Sequence, residues 1–194
     1  MSSFRFVVTS GFAATVAVSS LLVVQSLAQD KADPVERGRY LVTVGGCHDC
    51  HSPKIMTERG PEPDPERLLS GHPADLRVAP IHPDVMGPGK WFLINEHLTC
   101  AVGPWGASFA ANLTSDKETG IGSWPEEMFV EALQEGKHLG SGRPILPPMP
   151  WQNLALATDQ DLKAIFAYLK TTKAVKNQVP EPIAPEQLPM MEKE

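Results

Sequence analysis

Residues 47–51 read Cys47-His48-Asp49-Cys50-His51, and this stretch decides how the rest of the chain is interpreted. Its pattern, Cys-x-x-Cys-His, is typical of covalent attachment of a c-type haem. Two thiols three positions apart on one helical turn can both reach the vinyl groups of a single porphyrin. His51 follows directly and can offer its imidazole to the iron as the proximal ligand. The motif therefore predicts one haem c attached through Cys47 and Cys50, with His51 as an iron ligand.

Two other uses of these cysteines are open from the residues alone. Cys47 and Cys50 could form a dithiol redox site, although the βαβ pattern that usually accompanies such a site is not visible. Cys47, Cys50, Cys100 and a histidine could bind zinc, although the adjacent Cys50 and His51 would fit one tetrahedron poorly. Cys100 is the third cysteine of the chain. We expect it to be a buried, unreactive thiol, with an intermolecular disulfide or a redox role as alternatives.

The N-terminal stretch has the features of an export signal. Residues 1–28 contain no Asp or Glu, and Arg5 is their one charged side chain. An apolar stretch over about residues 6–24 follows Arg5, and small residues precede a cut after Ala28, as in secretory signal peptides. We therefore predict that residues 1–28 are a signal peptide and that the protein is periplasmic. If the segment were retained, it would act as an N-terminal membrane anchor.

Composition limits the function and the number of domains. The chain has 194 residues, with 17 Lys or Arg against 23 Asp or Glu, and a formal net charge of −6. This acidic balance argues against nucleic-acid binding, which needs a basic face. The length suits a single domain, which we place at residues 29–173. It includes a long loop insertion at about 53–110 and is followed by a Pro-rich C-terminal tail at 174–194.

Three helices are indicated by caps and apolar stripes. The first is predicted to begin at Pro34 and to stop at Gly45, just before the Cys-x-x-Cys-His motif. The second is predicted to begin at Ser123 with a Ser-x-x-Glu capping box and to end at Gly136. The last is capped by Thr158. Its apolar residues recur at the helical spacing i, i+3, i+4 and i+7: Leu162, Ile165, Phe166 and Leu169.

Between residues 53 and 110 the sequence lacks a periodic pattern. Eight prolines from Pro53 to Pro88 interrupt any long element. Aromatic residues that can serve as apolar anchors, including Trp91 and Trp105, argue against disorder here. We predict an ordered wrap with at most one short helix and no strand. The fold class predicted from the sequence is therefore all-α with long Pro-rich loops.

A haem that transfers electrons needs a second strong axial ligand, and Met149 is the best candidate. It lies in Ile145-Leu-Pro-Pro-Met-Pro-Trp151, where prolines restrict the loop and lower the cost of ordering it. Met86 is a weaker candidate, and Met128 falls on the apolar stripe of the second helix, where a core role is expected. Histidines could also ligate the iron: His72, His82, His97 and His138.

These features together resemble a class I c-type cytochrome. The resemblance rests on an N-terminal helix that ends in Cys-x-x-Cys-His, a Pro-flanked Met much later, and a final amphipathic helix. It implies a cytochrome c-like fold with a single covalently bound haem. In this family the first and last helices cross near the haem edge. The resemblance assigns that contact to four residues: Gly38, Tyr40, Phe166 and Tyr168.

A closer resemblance covers residues 111–168. Segments such as Asn112-Leu-Thr and Pro147-Pro-Met-Pro-Trp151 are similar to the cytochrome domains of multi-haem subunits that serve periplasmic alcohol and aldehyde dehydrogenases. Residues 68–72, Leu-Leu-Ser-Gly-His, also resemble a related single-haem group. The chain carries one Cys-x-x-Cys-His where those subunits have two or three. By the example of the family, three residues are expected to line the haem pocket: Asn112, Trp124 and Trp151.

The resulting functional hypothesis is an electron carrier and not an enzyme, with no catalytic residue. The predicted site consists of Cys47, Cys50, His51 and Met149, and the cofactor is one haem c. We expect single electrons to pass between a dehydrogenase or respiratory complex and an acceptor such as an oxidase. Two alternatives remain: a cytochrome subunit permanently docked on a dehydrogenase, and a haem enzyme with a labile sixth ligand.

Overall fold

A computed structural model describes residues 33–191, so the predicted signal peptide at residues 1–28 lies outside the described residues. The helices are α1 (Pro34–Val44), α2 (Cys47–His51), α3 (Glu126–Glu135), α4 (Trp151–Leu154) and α5 (Asp159–Leu169). Short 3-10 turns occur at His138–Gly140 and Pro185–Gln187. The strands are β1 (Lys54–Thr57), β2 (Gly60–Pro63), β3 (Leu93–Ile94), β4 (Cys100–Gly103) and β5 (Gly106–Phe109).

The all-α prediction is wrong, because five strands form two small antiparallel sheets. β1 pairs with β2 in one sheet, and the order of the other is β3-β4-β5. Each strand has two to four residues, which is too short to show the alternation of apolar and polar residues that identifies a strand. The wrap at residues 53–110 is ordered, as predicted, but it contains these strands and no helix.

The crossing of α1 and α5 is as close as a glycine permits. A Cβ atom added to Gly38 would lie 1.9 Å from the carbonyl oxygen of Ala164 and 2.8 Å from Cβ of Tyr168. The expected contact between Gly38 and Tyr168 is therefore confirmed. Tyr40 is 55% exposed, with the guanidinium of Arg37 over its ring, and its part in the crossing stays a prediction.

The caps of the two longer later helices differ from each other. Thr158 caps α5 as predicted, with its side-chain oxygen accepting a hydrogen bond from the backbone N–H of Asp161. The predicted start of α3 at Ser123 is wrong, because the helix begins at Glu126. Ser123 instead donates its hydroxyl to the carbonyl of Lys117. The capping box therefore does not form, although the helix ends at Gly136 with a left-handed conformation, as predicted.

Two clusters of buried side chains stabilise the fold. The helical core joins α1, α3 and α5, and Phe129 and Phe166 contact each other within it at a ring distance of 5.2 Å. Its members are Val42, Leu69, Ile121, Phe129, Val130, Leu133, Leu162, Ile165, Phe166 and Leu169. The strand core lies between the three-stranded sheet and the C-terminal segment. Its members are Ile81, Cys100, Val102, Ala107 and Leu188.

The C-terminal segment packs against the insertion and completes the strand core. Ile183 exchanges two backbone hydrogen bonds with Ala107, at 2.8 and 3.0 Å. Further along, Ile81 donates to the carbonyl of Pro189 at 2.8 Å, and Leu188 is only 8% exposed. The sequence shows no core pattern after Val175. Backbone hydrogen bonds to residues far away in the sequence nevertheless hold this segment against the strand core. Within residues 33–191, no helix has the length and apolarity needed to cross a bilayer.

Candidate cofactor site

A large apolar cavity lies beside α2. Its volume is about 400 Å³, within the usual range of roughly 300–1,000 Å³ for cofactor sites. Its walls come from the end of α2, the segment after β5, α3, the loop at residues 138–150 and the C-terminal segment at 178–182. Elements far apart in the sequence therefore line one cavity.

His51 is the last residue of α2 and lines this cavity. The residue is only 8% exposed, and its Nδ1 lies 2.8 Å from the carbonyl oxygen of Ala111. Since a carbonyl only accepts, Nδ1 carries the proton, and Nε2 is the nitrogen left with a lone pair. Burial lowers the pKa of His51 and so favours the neutral imidazole that binds a metal. A hydrogen bond of this kind fixes the orientation of a metal-binding histidine.

Residues 68–72, the Leu-Leu-Ser-Gly-His segment noted in the sequence, hold the backbone around Ala111. Gly71 donates its N–H to the carbonyl of His51 at 2.8 Å, and His72 donates to the carbonyl of Ala110 at 2.9 Å. Gly71 has a φ of 77°, and a Cβ there would come within 2.5 Å of the Ala110 oxygen. This close approach requires glycine. The segment therefore positions both the histidine and the carbonyl that orients it.

Three of the candidate histidines are used elsewhere. Both ring nitrogens of His72 are engaged, Nδ1 with the Thr99 hydroxyl and Nε2 with the Leu76 carbonyl, each at 2.9 Å. The Nδ1 atoms of His82 and His97 accept backbone N–H groups. None of the three lines the cavity.

His138 is the exception among those histidines, because it lines the cavity. Its ring meets the edge of Trp124 at 5.4 Å, and burial lowers its pKa. Arg143 lines the same cavity, and its Nε lies 3.5 Å from a carboxylate oxygen of Glu181 in the C-terminal segment. Polar groups therefore accompany the apolar walls on this side.

The three cysteines lie in different surroundings. Cys50 lines the cavity and is exposed, while Cys47 is partly buried against the helical core. Burial raises the pKa of both thiols. Cys100 is 5% exposed in the strand core, and burial raises its pKa to about 11, as expected of an unreactive thiol. Among the described residues, no group of three or more His, Cys, Asp or Glu side chains is arranged to hold a metal ion.

Met149 is partly buried, packs against the helical core and lines the cavity with His51. No other methionine of residues 33–191 lines it. Met86 packs against the strand core, and Met128 lies on α3 outside the cavity lining. The remaining described methionines are largely exposed: Met56, Met190 and Met191.

The three residues expected at the pocket from the resemblance behave differently. Trp124 lines the cavity, and so does Asn112. The Asn112 side chain bonds to the hydroxyl of Thr119 and to backbone carbonyls of the C-terminal segment, so it also ties that segment to the domain. Trp151 does not line the cavity. Its indole packs over Gly136, where a Cβ would come within 2.4 Å of the ring.

Some lining residues gave no signal in the sequence. The segment at residues 178–182 closes part of the cavity, yet it reads as Pro-rich tail. Ala111 contributes a carbonyl oxygen, a group that every residue possesses. These groups are far from His51 in the sequence, and only the tertiary fold brings them to the cavity.

The donor set fits a haem c. It offers a thiol at the cavity wall, a neutral buried imidazole with a fixed ring, and a thioether in the same apolar space. Such a pocket suits a large, planar, mostly apolar group that is bound by thioether bonds and nitrogen and sulfur ligands.

Comparisons with known proteins point the same way. No family model matches the chain. The chain is 30% identical over 145 residues to the gluconate 2-dehydrogenase cytochrome c subunit of Pantoea cypripedii. The aligned residues make up 74% of the chain and 24% of that protein. It is 32% identical over 87 residues to the fructose dehydrogenase cytochrome subunit of Gluconobacter japonicus, covering 42% of the chain and 18% of the relative.

A third relative is the cytochrome c subunit of alcohol dehydrogenase (quinone) from Gluconobacter oxydans, 32% identical over 81 residues, which are 40% of the chain and 17% of the relative. The chain thus spans a quarter or less of the length of these relatives. All three carry the name of a cytochrome subunit of a dehydrogenase. The chain is therefore related to the cytochrome c subunits of dehydrogenases and resembles the cytochrome domains within them.

Proposed function

We propose that this chain is a periplasmic electron carrier that holds one haem c. In this proposal Cys47 and Cys50 attach the haem, and His51 and Met149 are its axial ligands. The observation that carries the proposal is that His51, oriented by Ala111, and Met149 line one apolar cavity. When bound, the haem supplies transfer of single electrons between ferric and ferrous iron.

The loop that carries Met149 is restrained on both sides, which favours a fixed thioether. Before Met149, the hydroxyl of Ser108 donates a hydrogen bond to the carbonyl of Pro147. After it, Trp151 packs over Gly136. Pro147 and its neighbouring prolines remove further freedom from the backbone. A restrained loop can keep a weak ligand in place at low ordering cost, and a thioether gives a higher reduction potential than a second imidazole would.

The cavity walls have a second task. Burial of the site in apolar surroundings excludes water and lowers the local dielectric constant, which favours the less charged form of an iron centre. Ile121, Phe129 and Leu133 supply such walls from the helical core. No group of the site has to donate or accept a proton for an electron to pass, so the site needs no catalytic acid or base.

The names of the relatives favour a dehydrogenase as the electron donor. The acidic chain suggests that at least one partner offers a basic docking surface, with association that weakens as salt rises. Export is supported by the composition of residues 1–28, which is that of a secretory signal peptide. A periplasmic fraction that lacks the protein would contradict the proposed location.

The intact mass of the purified protein tests attachment and export together. We expect a mass that corresponds to residues 29–194 plus one haem, and a one-electron redox titration. A Cys47→Ala, Cys50→Ala double variant should lose the covalent haem, and Cys100→Ala is the matched control that should keep it. A wild-type mass without haem, or a haem that survives in the double variant, would contradict the proposal.

A further inference from the structure

A buried cation lies directly behind the Cys-x-x-Cys-His helix. Lys54 is only 8% exposed, and it is the one buried Lys or Arg among residues 33–191. It is the first residue of β1, and its backbone N–H donates to Nδ1 of His97 at 3.0 Å. Burying a charged ammonium costs free energy unless nearby groups compensate it, so the partners of Lys54 matter.

The ammonium of Lys54 is surrounded by backbone carbonyls of the motif and its end. Nζ donates to the carbonyl of Asp49 at 2.8 Å, to that of His48 at 3.1 Å and to that of Ser52. An ammonium has three N–H donors, and three acceptors meet them. These carbonyls precede and follow His51, so the cation is fixed next to the turn that presents the proximal histidine.

No carboxylate neutralises this charge by direct contact among the described residues. Every ion pair that the structure shows within residues 33–191 involves other side chains. Asp49 contributes through its carbonyl oxygen and, more weakly, through the charge of its exposed side chain. The positive charge of Lys54 is therefore held mainly by the dipoles of three carbonyl groups, at a largely buried position where charges act over longer distances than in water.

We propose that the fixed positive charge of Lys54 raises the reduction potential of the haem bound at His51. The proposal rests on the proposed haem function. Ferric iron carries one more positive charge than ferrous iron, so a nearby fixed cation disfavours the oxidised form. The same three hydrogen bonds keep the cation at one distance from the site, which makes its effect constant.

A redox titration of the holoprotein tests this role. Lys54→Met keeps the length of the side chain and removes its charge. At a fixed ambient potential, we expect its ratio of reduced to oxidised haem to fall about tenfold, which equals a shift of about 59 mV towards lower potential. Lys173→Met is the matched control, because Lys173 is exposed and pairs with Glu66 on the surface. Its potential should equal that of the wild type.

Two further observations make the outcome decisive. Lys54→Gln removes the charge but keeps a donor, and it should lower the potential to the same extent as Lys54→Met. The shift should persist at high salt, since a buried charge is poorly screened. An unchanged potential in a neutral variant with normal haem content would overturn the proposal. Loss of haem from both neutral variants would also overturn it, by showing a purely structural role. A wild-type protein without haem would instead contradict the proposed function.

Discussion

The helical core and the strand core of this protein differ in how clearly the sequence predicts them. The helical core joins α1, α3 and α5, whose apolar stripes are visible in the sequence, as are the glycines that end α1 and α3. The strand core joins a three-stranded sheet to Leu188 near the C-terminus, and nothing in the local sequence announces it. The difference shows that caps and helical periodicity act within a few residues, whereas the C-terminal segment joins the strand core through pairing across about 80–110 residues. The strands of the sheet pair locally, but each is too short to show a period.

The largest effect is expected where the helical core is tightest. Gly38→Val should destabilise the protein by about 3 kcal/mol, because the new side chain must overlap the Ala164 carbonyl and displace α5. Urea unfolding measures the change. Val44→Ala is the control on the same helix, since Val44 is 62% exposed and should shift stability by less than about 0.5 kcal/mol. A Gly38→Val variant as stable as the control would break the account of this crossing.

The next effect probes the strand core through the C-terminal segment. Leu188→Ala should cost about 2 kcal/mol, since it removes a side chain that is 8% exposed and leaves a cavity. Met191→Ala, at a half-exposed position, should cost less than about 0.5 kcal/mol. Urea unfolding compares the two variants. Equal stabilities would mean that the segment does not belong to the packed fold in solution, and the contrast between the two cores would fail.

A smaller loss of stability should distinguish Thr158, which caps a helix, from Ser123, which only the sequence suggests as a cap. Thr158→Ala should cost about 1 kcal/mol, because its side chain accepts the Asp161 N–H at 3.1 Å. Ser123→Ala should cost less than about 0.5 kcal/mol, because Ser123 lies before the start of α3 and does not cap it. Thermal unfolding of both variants measures the difference. A larger loss for Ser123→Ala would reverse the assignment of the caps.

The smallest effect concerns the ion pair between α1 and α5. Arg37 donates a hydrogen bond to Asp161 at 2.9 Å and lowers the pKa of that carboxyl. A lowered carboxyl pKa adds stability above the unfolded-state value of about 3.9, and this is lost as pH falls through the folded-state pKa. Arg37→Ala should therefore be slightly less stable than the wild type at pH 7 and equal to it near pH 2 in urea unfolding. A loss that is the same at both pH values would contradict an electrostatic origin.

The sequence predicted the helical half well, because its determinants are local. Thr158 and Gly136 each act on the end of one helix, and each lies where the pattern indicated. The family resemblance assigned Gly38 and Tyr168 to the crossing, where they meet. It also assigned Trp151 to the pocket, but Trp151 packs over Gly136 and does not line the cavity.

The strand half and several site groups could not be predicted for a physical reason. Strands of two to four residues carry no period, and the Ala111 carbonyl and the buried Lys54 acquire their roles only from what surrounds them. Of the predicted site residues, Cys50, His51 and Met149 line the cavity, and Cys47 packs against the helical core. Their bonds to a haem stay a prediction.

The optical spectrum of the oxidised holoprotein tests the central claim most directly. Ligation by Met149 predicts a weak long-wavelength band from charge transfer between the thioether and the iron. The band should disappear in Met149→Ala and persist in Met86→Ala, whose methionine packs against the strand core. A wild-type spectrum without the band, or a band that survives in Met149→Ala, would contradict the proposed pair of His51 and Met149.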